Sequence, residues 1–235
     1  MLAKLIKYDF ISINKSLMVI YLLSVVSTLI VLIAGSFNGD IAIATLAIAK
    51  DFTIICLLIA LIVPFFNCFF KIKNSLYKNE GYLTNTLPVK RGVLFDAKII
   101  TSIMTLLISW FIFGSCFMSS FSGMNIIKLF INVVNDSNML TTSIEMLSLI
   151  LSELLFIFMS FVFGLVIGYS FDEKKDLITF IVGVLVYLIS RFTIVFLIEI
   201  FNLNYYLYMS LAFLILNILI FFISRYKFKK GVNLE

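Results

Sequence analysis

The sequence predicts an all-α membrane protein with six transmembrane helices, on three observations. The 235 residues are 62% hydrophobic and only 13% charged, whereas a soluble domain is about half apolar and about a quarter charged. The apolar residues are gathered into long continuous runs of roughly 18 or more. The basic residues lie between those runs and fall almost wholly on one side, as flanks of membrane helices do.

The runs place the spans at about Leu17–Ala34, Phe52–Phe70, Ala97–Met118, Met146–Ile167, Leu177–Ile200 and Tyr205–Ile223. Each is near the ~20 residues that cross ~30 Å of hydrocarbon at 1.5 Å per residue. Within lipid the backbone must satisfy itself, so these runs are expected to be helices. A transmembrane β-barrel would need short alternating segments, and these runs are continuously apolar. The chain is expected to form one membrane domain over 1–235, with no room for a soluble ATPase. The run ending in Ile-Ala-Gly-Ser-Phe at 33–37 weakly resembles a signal-peptide cleavage site. A second span follows directly, so an uncleaved helix is expected.

Orientation follows from lysine and arginine. Lys4, Lys7 and Lys15 precede the first span; Lys71, Lys73, Lys78, Lys90, Arg91 and Lys98 lie between the second and third. Lys174 and Lys175 follow the fourth, and Arg225, Lys227, Lys229 and Lys230 follow the sixth. The opposite side has only Lys50 and Lys128, and Arg191 lies inside a span. The basic side, with both termini, is therefore expected in the cytoplasm.

The connections carry their own patterns. Over 1–16, Leu2, Leu5, Ile6, Phe10 and Ile13 recur near helical spacing among Lys4, Lys7, Asp9 and Lys15. This predicts an interfacial amphipathic helix with snorkelling lysines, an ordinary charged flank being the alternative. The 119–145 connection is the longest exterior one, and Ile126, Ile127, Phe130, Val133 and Val134 suggest a short amphipathic helix, broken by Asn135–Asn138. The stretch 224–235 is expected as a cytoplasmic tail.

Several chemistries are excluded by what the chain lacks. It has no histidine, which removes the commonest general base and imidazole metal sites. Cys56, Cys68 and Cys116 fall in or at the ends of apolar runs without disulfide or metal spacing. No HExxH, GxSxG or P-loop pattern occurs, so the chain is not expected to be an enzyme. The net charge of +5 is spread between spans, which does not point to nucleic acid.

The inner segment 71–96 is the most patterned connection. Leu76, Tyr77, Tyr82, Leu83 and Leu87 can form an apolar face on short helices interrupted at Gly81. Pro88 stops helical continuation, and a new helix is expected to begin near Lys90 or Arg91. Such a segment is either a surface that takes force from a soluble partner or a packed loop with no partner.

The run YKNEGYLTNTLPVKRGVLFDAKII resembles the inner loop of ABC-2 type transporter permeases, through Glu80, Leu87, Pro88, Arg91 and Lys98. The tail RYKFKKGVNLE and the layout of the spans are similar to small bacterial members of that family. The resemblance implies a bacterial plasma-membrane permease. It would pair with a second permease copy or homologue and with cytoplasmic ATP-binding subunits, which would hold ATP and Mg; this chain itself would hold no cofactor. The ATPase would dock on about Asn79–Leu87, with Glu80 and Tyr82 as contacts and Leu83, Leu87, Pro88 and Arg91 shaping the loop. The 1–16 arm would match the family's connecting helix. Family cargo includes amphipathic peptides, drugs, lipids and polysaccharide. Many members also have a re-entrant element between spans five and six, for which the few residues at Phe201–Tyr205 leave little room.

Inside the membrane Arg191 is the most expensive residue, since a lipid-exposed Arg costs at least about 2.5 kcal/mol. Counted along its span, Arg191 lies roughly 21 Å from the inner end, and Glu153 roughly 10 Å from the outer end of span four. In a ~30 Å core those depths nearly coincide, so a Glu153–Arg191 pair is expected, with Glu199 as the competing partner. Such a pair is a pin between helices or a polar patch on a substrate path. Ser160, Gly164 and Gly168 form a small-residue stripe for close helix contact, within the chain or at a dimer seam. Tyr169, Tyr187, Tyr205, Tyr206 and Tyr208 read as interface anchors, and Asp172–Asp176 as a solvated turn. The reading that results is an exporter subunit in contact with membrane lipids, moving an amphipathic peptide, drug or lipid-like cargo. The alternative is a membrane assembly or peptide-immunity protein that transports nothing.

Overall fold

A computed structural model describes residues 2–37, 40–78, 91–121, 137–171, 173–202 and 204–230. The described residues form six helices: α1 Leu2–Ala34, α2 Asp40–Leu76, α3 Arg91–Phe121, α4 Ser137–Gly168, α5 Lys175–Ile200 and α6 Tyr205–Lys230. All six are long and apolar enough to cross a membrane. The chain is a polytopic, all-α membrane protein.

The helices exceed the apolar runs wherever a charged flank packs. α1 has 33 residues, about 50 Å of helix, and passes from Leu2 into the first span without a break. Residues 2–16 are therefore the first turns of α1, not a helix set off from it. α2 begins at Asp40 and continues through Pro64 to Leu76, well beyond Phe52–Phe70. α6 stays helical to Lys230, so most of the expected tail is helix. Ser137 and Asn138, expected in a break, open α4. The amphipathic element expected at 126–134 lies outside the described residues.

The chain divides into two compact units. Among the described residues, the first takes in those within 3–68 and 100–121, and the second those within 69–99 and 137–230. In the first unit the helices meet through small and hydroxyl residues, which lets membrane backbones approach closely. α1 buries Ser24, Ser27, Thr28 and Val31; α2 buries Thr53, Cys56 and Ala60; α3 buries Thr101, Thr105 and Ser109. The hydroxyls do not enter the apolar contact unsatisfied. Ser24, Ser27, Thr105 and Ser109 donate to carbonyls three or four residues back on their own helices. Cross-links then run between helices. Tyr21 Oη and Ser109 Oγ are 2.6 Å apart, Thr53 Oγ1 donates to the Ser27 carbonyl at 3.2 Å, and Asn67 Nδ2 donates to Ser16 Oγ at 3.1 Å. The three cysteines are free and buried.

In the second unit α4 packs against both α5 and α6, which touch each other much less. Phe156 on α4 is fully buried and meets Phe213 of α6 at 5.1 Å between ring centres. The α4–α5 contact is closer still, because it is made by glycine. A Cβ at Gly164 would strike the Thr179 carbonyl oxygen and lie 3.0 Å from Gly183 N. One at Gly168 would strike Thr179 Oγ1 and lie 2.7 Å from the Lys175 carbonyl. The small-residue stripe is thus an intrachain seam, with Gly183 answering it from α5. Ser160, fully buried one turn before Gly164, donates to its own helix at Ile157.

α5 is unbroken from Lys175 to Ile200, and Asn202 turns the chain with φ 47, a left-handed conformation that asparagine tolerates. With α6 starting at Tyr205, the described residues contain no re-entrant element at this end.

Candidate functional site

Two polar clusters stand out in the second unit, one inside the spans and one at their basic end. Inside the spans, α4 presents Glu153, and α5 presents Tyr187 and Arg191 one turn apart. Arg191 Nη1 is ion-paired with Glu153 Oε1. Tyr187 Oη donates to the same Glu153 oxygen at 2.8 Å, and Arg191 Nη1 donates to Tyr187 Oη at 2.6 Å. One carboxylate oxygen thus accepts from two donors that themselves touch. The closed triangle offsets both charges and polarises the phenol between them. Phe156 packs against the Tyr187 ring, 6.3 Å between centres.

Among the described residues the triangle is only partly covered. The Glu153 side chain is 20% exposed and that of Arg191 44%. Glu199 is exposed, and the structure brings Arg191 to Glu153 instead. Beside the triangle, Asn217 Nδ2 of α6 donates to the Ser152 carbonyl at 3.2 Å. Tyr187, expected as an interface anchor, is instead a member of the triangle, and Asn217 was not singled out in the sequence. Tyr187 stands four residues before Arg191, a helical neighbour spacing, and that was the available signal.

At the basic end, the ends of α2, α3, α4 and α6 converge on an aromatic cluster. Tyr77 packs against Tyr169 at 4.6 Å and edge-on to Phe228 at 5.9 Å, and Phe228 lies 5.3 Å from Phe95. All four rings are 0–1% exposed. Tyr169 is therefore a core residue, not an interface anchor, whereas Tyr205, Tyr206 and Tyr208 lie exposed at the start of α6. Two ion pairs flank the rings. Arg225 Nη2 donates to Asp96 Oδ2 at 2.5 Å, and Lys73 Nζ meets Asp176 Oδ1 at 2.7 Å. Asp176 belongs to packed structure as well as to the turn.

Among the described residues the buried Tyr77 hydroxyl has no hydrogen-bond partner. Burial pushes its pKa far above the ordinary value of 10.0, and the neighbouring Tyr169 adds to the rise. The ring supplies the packing and the hydroxyl supplies nothing that offsets its desolvation. Tyr77→Phe is therefore expected to be neutral or to stabilise by up to about 1 kcal/mol. Thermal unfolding of the purified variant checks it, and a clear loss of stability would show that the hydroxyl is used.

Of the inner-segment residues singled out in the sequence, Glu80, Tyr82, Leu83, Leu87 and Pro88 lie outside the described residues. Arg91 is the exposed first residue of α3. Lys98 is buried. Among the described residues no group of three His, Cys, Asp or Glu could hold a metal ion.

Fold and clusters together define a six-helix membrane protein with a neutralised polar triangle inside its second unit. No protein-family model matches the chain, and no curated protein or solved structure matches it.

Proposed function

We propose that the chain is the membrane subunit of an ATP-driven exporter, working as a pair of permeases with separate cytoplasmic ATPase subunits. One observation carries most weight: how the chain is held on either side of the segment that resembles an ABC-2 inner loop. On one side Tyr77 is clamped among Tyr169 and Phe228. On the other Phe95 is buried and Asp96 is tied to Arg225. Force that reaches either flank of Asn79–Leu87 would pass to α4 and α6 through packed rings and an ion pair. That is what a coupling surface requires, because force dissipates in an unanchored loop.

In this mechanism ATP-driven closure of the partner subunits presses on Glu80 and Tyr82 and tilts the helices behind them. Cargo, an amphipathic peptide, drug or lipid-like molecule, is released on the outer side. ATP and Mg belong to the partner, and this chain forms no covalent intermediate.

The test is gentle purification of the tagged protein from its native membrane, with an ATPase assay and identification of co-purifying subunits. The expected result is an associated P-loop ATPase whose yield falls at least about tenfold in the Glu80→Ala/Tyr82→Ala double variant, with the permease itself retained. Clean permease with no ATPase, under conditions that preserve known complexes, would replace this reading with the assembly or immunity role.

A further inference from the structure

We infer that the cavity at the α4–α5 turn is a binding site for the phosphate headgroup of an anionic phospholipid. The cavity has a volume of about 310 Å³ and is lined by Lys78, Tyr169, Lys174, Lys175, Asp176 and Leu177. Three of these six residues are lysines. The one carboxylate among the described lining residues is already engaged, since Asp176 pairs with Lys73 at 2.7 Å and accepts from Tyr169 Oη at 3.3 Å. Its charge is thus offset by Lys73, which is not among the described lining residues, and those residues carry three lysines against this one paired carboxylate. Glu173, exposed in the same turn, is not part of the lining.

The backbone is bent to bring the lysines together. Lys174 has φ 51, a left-handed conformation that side-chain-bearing residues seldom adopt. Across that bend Lys174 and Lys175 both line the one cavity. The Lys175 ammonium stands 5.8 Å from the centre of the buried Tyr169 ring, which restricts where it can go. α5 begins here, and its first-turn N–H groups add a partial positive charge.

The apolar surface below the cavity favours a lipid over a free anion. Leu177 belongs to the lining and starts an exposed stripe, Leu177, Ile181, Leu185 and Leu188, at helical spacing along α5. The stripe is about 16 Å long and leads from the lysines into the depth of the spans. Lysines at the membrane end with an apolar track beneath them match a headgroup with its acyl chain. The cavity also lies on the face that carries most of the basic residues. By the distribution of charge that face meets the cytoplasmic leaflet, where anionic lipids lie. The inference does not depend on the transport reading.

The test uses the full-length protein in detergent, titrated with phosphatidylglycerol or phosphatidylcholine, following thermal unfolding and lipid retention by native mass spectrometry. Wild-type protein should bind phosphatidylglycerol in preference to phosphatidylcholine and unfold at higher temperature with it. K78Q/K174Q should weaken that binding about tenfold or more, and K78R/K174R should retain it. K4Q/K7Q, which removes two lysines from α1, should leave it unchanged, and inorganic phosphate should not reproduce it. Any of three results overturns the inference: no lipid preference in the wild type, equal loss in K4Q/K7Q and K78Q/K174Q, or full stabilisation by inorganic phosphate. The first needs no variant, so poor folding of K78Q/K174Q cannot rescue the idea.

Discussion

Arg191→Ala is expected to lower the amount of folded protein in the membrane and to destabilise it by about 2–3 kcal/mol. The reason is what it leaves behind. Glu153 loses its cation, and a lone carboxylate at that depth costs roughly that much. Because 44% of the Arg191 side chain is not covered by this chain, the lower end of the range is the better expectation. Tyr187→Phe removes one donor to the same oxygen while the ion pair stays, so it should cost only about 1 kcal/mol. The decisive variant is Glu153→Leu with Arg191→Leu, which removes both charges and should recover more stability than either single change. Equal damage in the single and double variants would show that the two residues do not act as a pair. A double variant that is stable yet inactive would move the triangle from helix pin to substrate path.

Gly164→Leu is expected to be as damaging, for a steric reason. Already the first side-chain carbon would overlap the backbone oxygen of Thr179 and crowd Gly183. Backbone cannot rotate away as a side-chain tip can, so α4 and α5 must separate along the whole seam. Overpacking of this kind costs about 1–3 kcal/mol, and the loss of the close contact should put Gly164→Leu at the upper end. Gly114 on α3 supplies the comparison, since a Cβ there meets nothing within 4 Å. Gly114→Ala should be neutral or stabilise by about 0.5–1 kcal/mol. Thermal unfolding of both variants in the same detergent checks the contrast. Similar stability of the two would mean that the α4–α5 seam has more slack than its geometry allows.

The seam and the triangle act on the same pair of helices. Gly168 and Gly164 bring α4 against α5 toward the basic end, and Glu153 meets Arg191 nearer the other. Close packing sets the distance between the helices, and the ion pair sets their register. Either alone leaves one of those two freedoms, which is why both variants are expected to have large effects.

Six helices were legible in the residues because hydropathy is a local property and the bilayer makes it sufficient. A run of about 20 apolar residues has one low-energy state in hydrocarbon, whatever its neighbours do. The sixth run, Tyr205–Ile223, starts where α6 does, and the fifth begins within two residues of α5. The expected depths of Glu153 and Arg191 were legible for the same reason, since rise per residue converts position into depth.

What lies at the helix ends depended on tertiary contact. The turns of α2 and α6 that outrun their apolar runs reach Tyr77 and Phe228, and these rings pack on each other and on Phe95 and Tyr169. Nothing in the local composition around Tyr169 distinguishes a buried ring from an interface anchor, because both want an apolar body and a polar tip. Gly164 and Gly168 likewise announce a close contact but not its partner. Thr179 and Gly183 become that partner only when α5 folds back along α4. Sequence alone determined how many helices cross and which side is basic, because the solvent decides those span by span. The structure decided which faces meet, because a partner as far as 151 residues away is chosen by shape and charge that no local window contains.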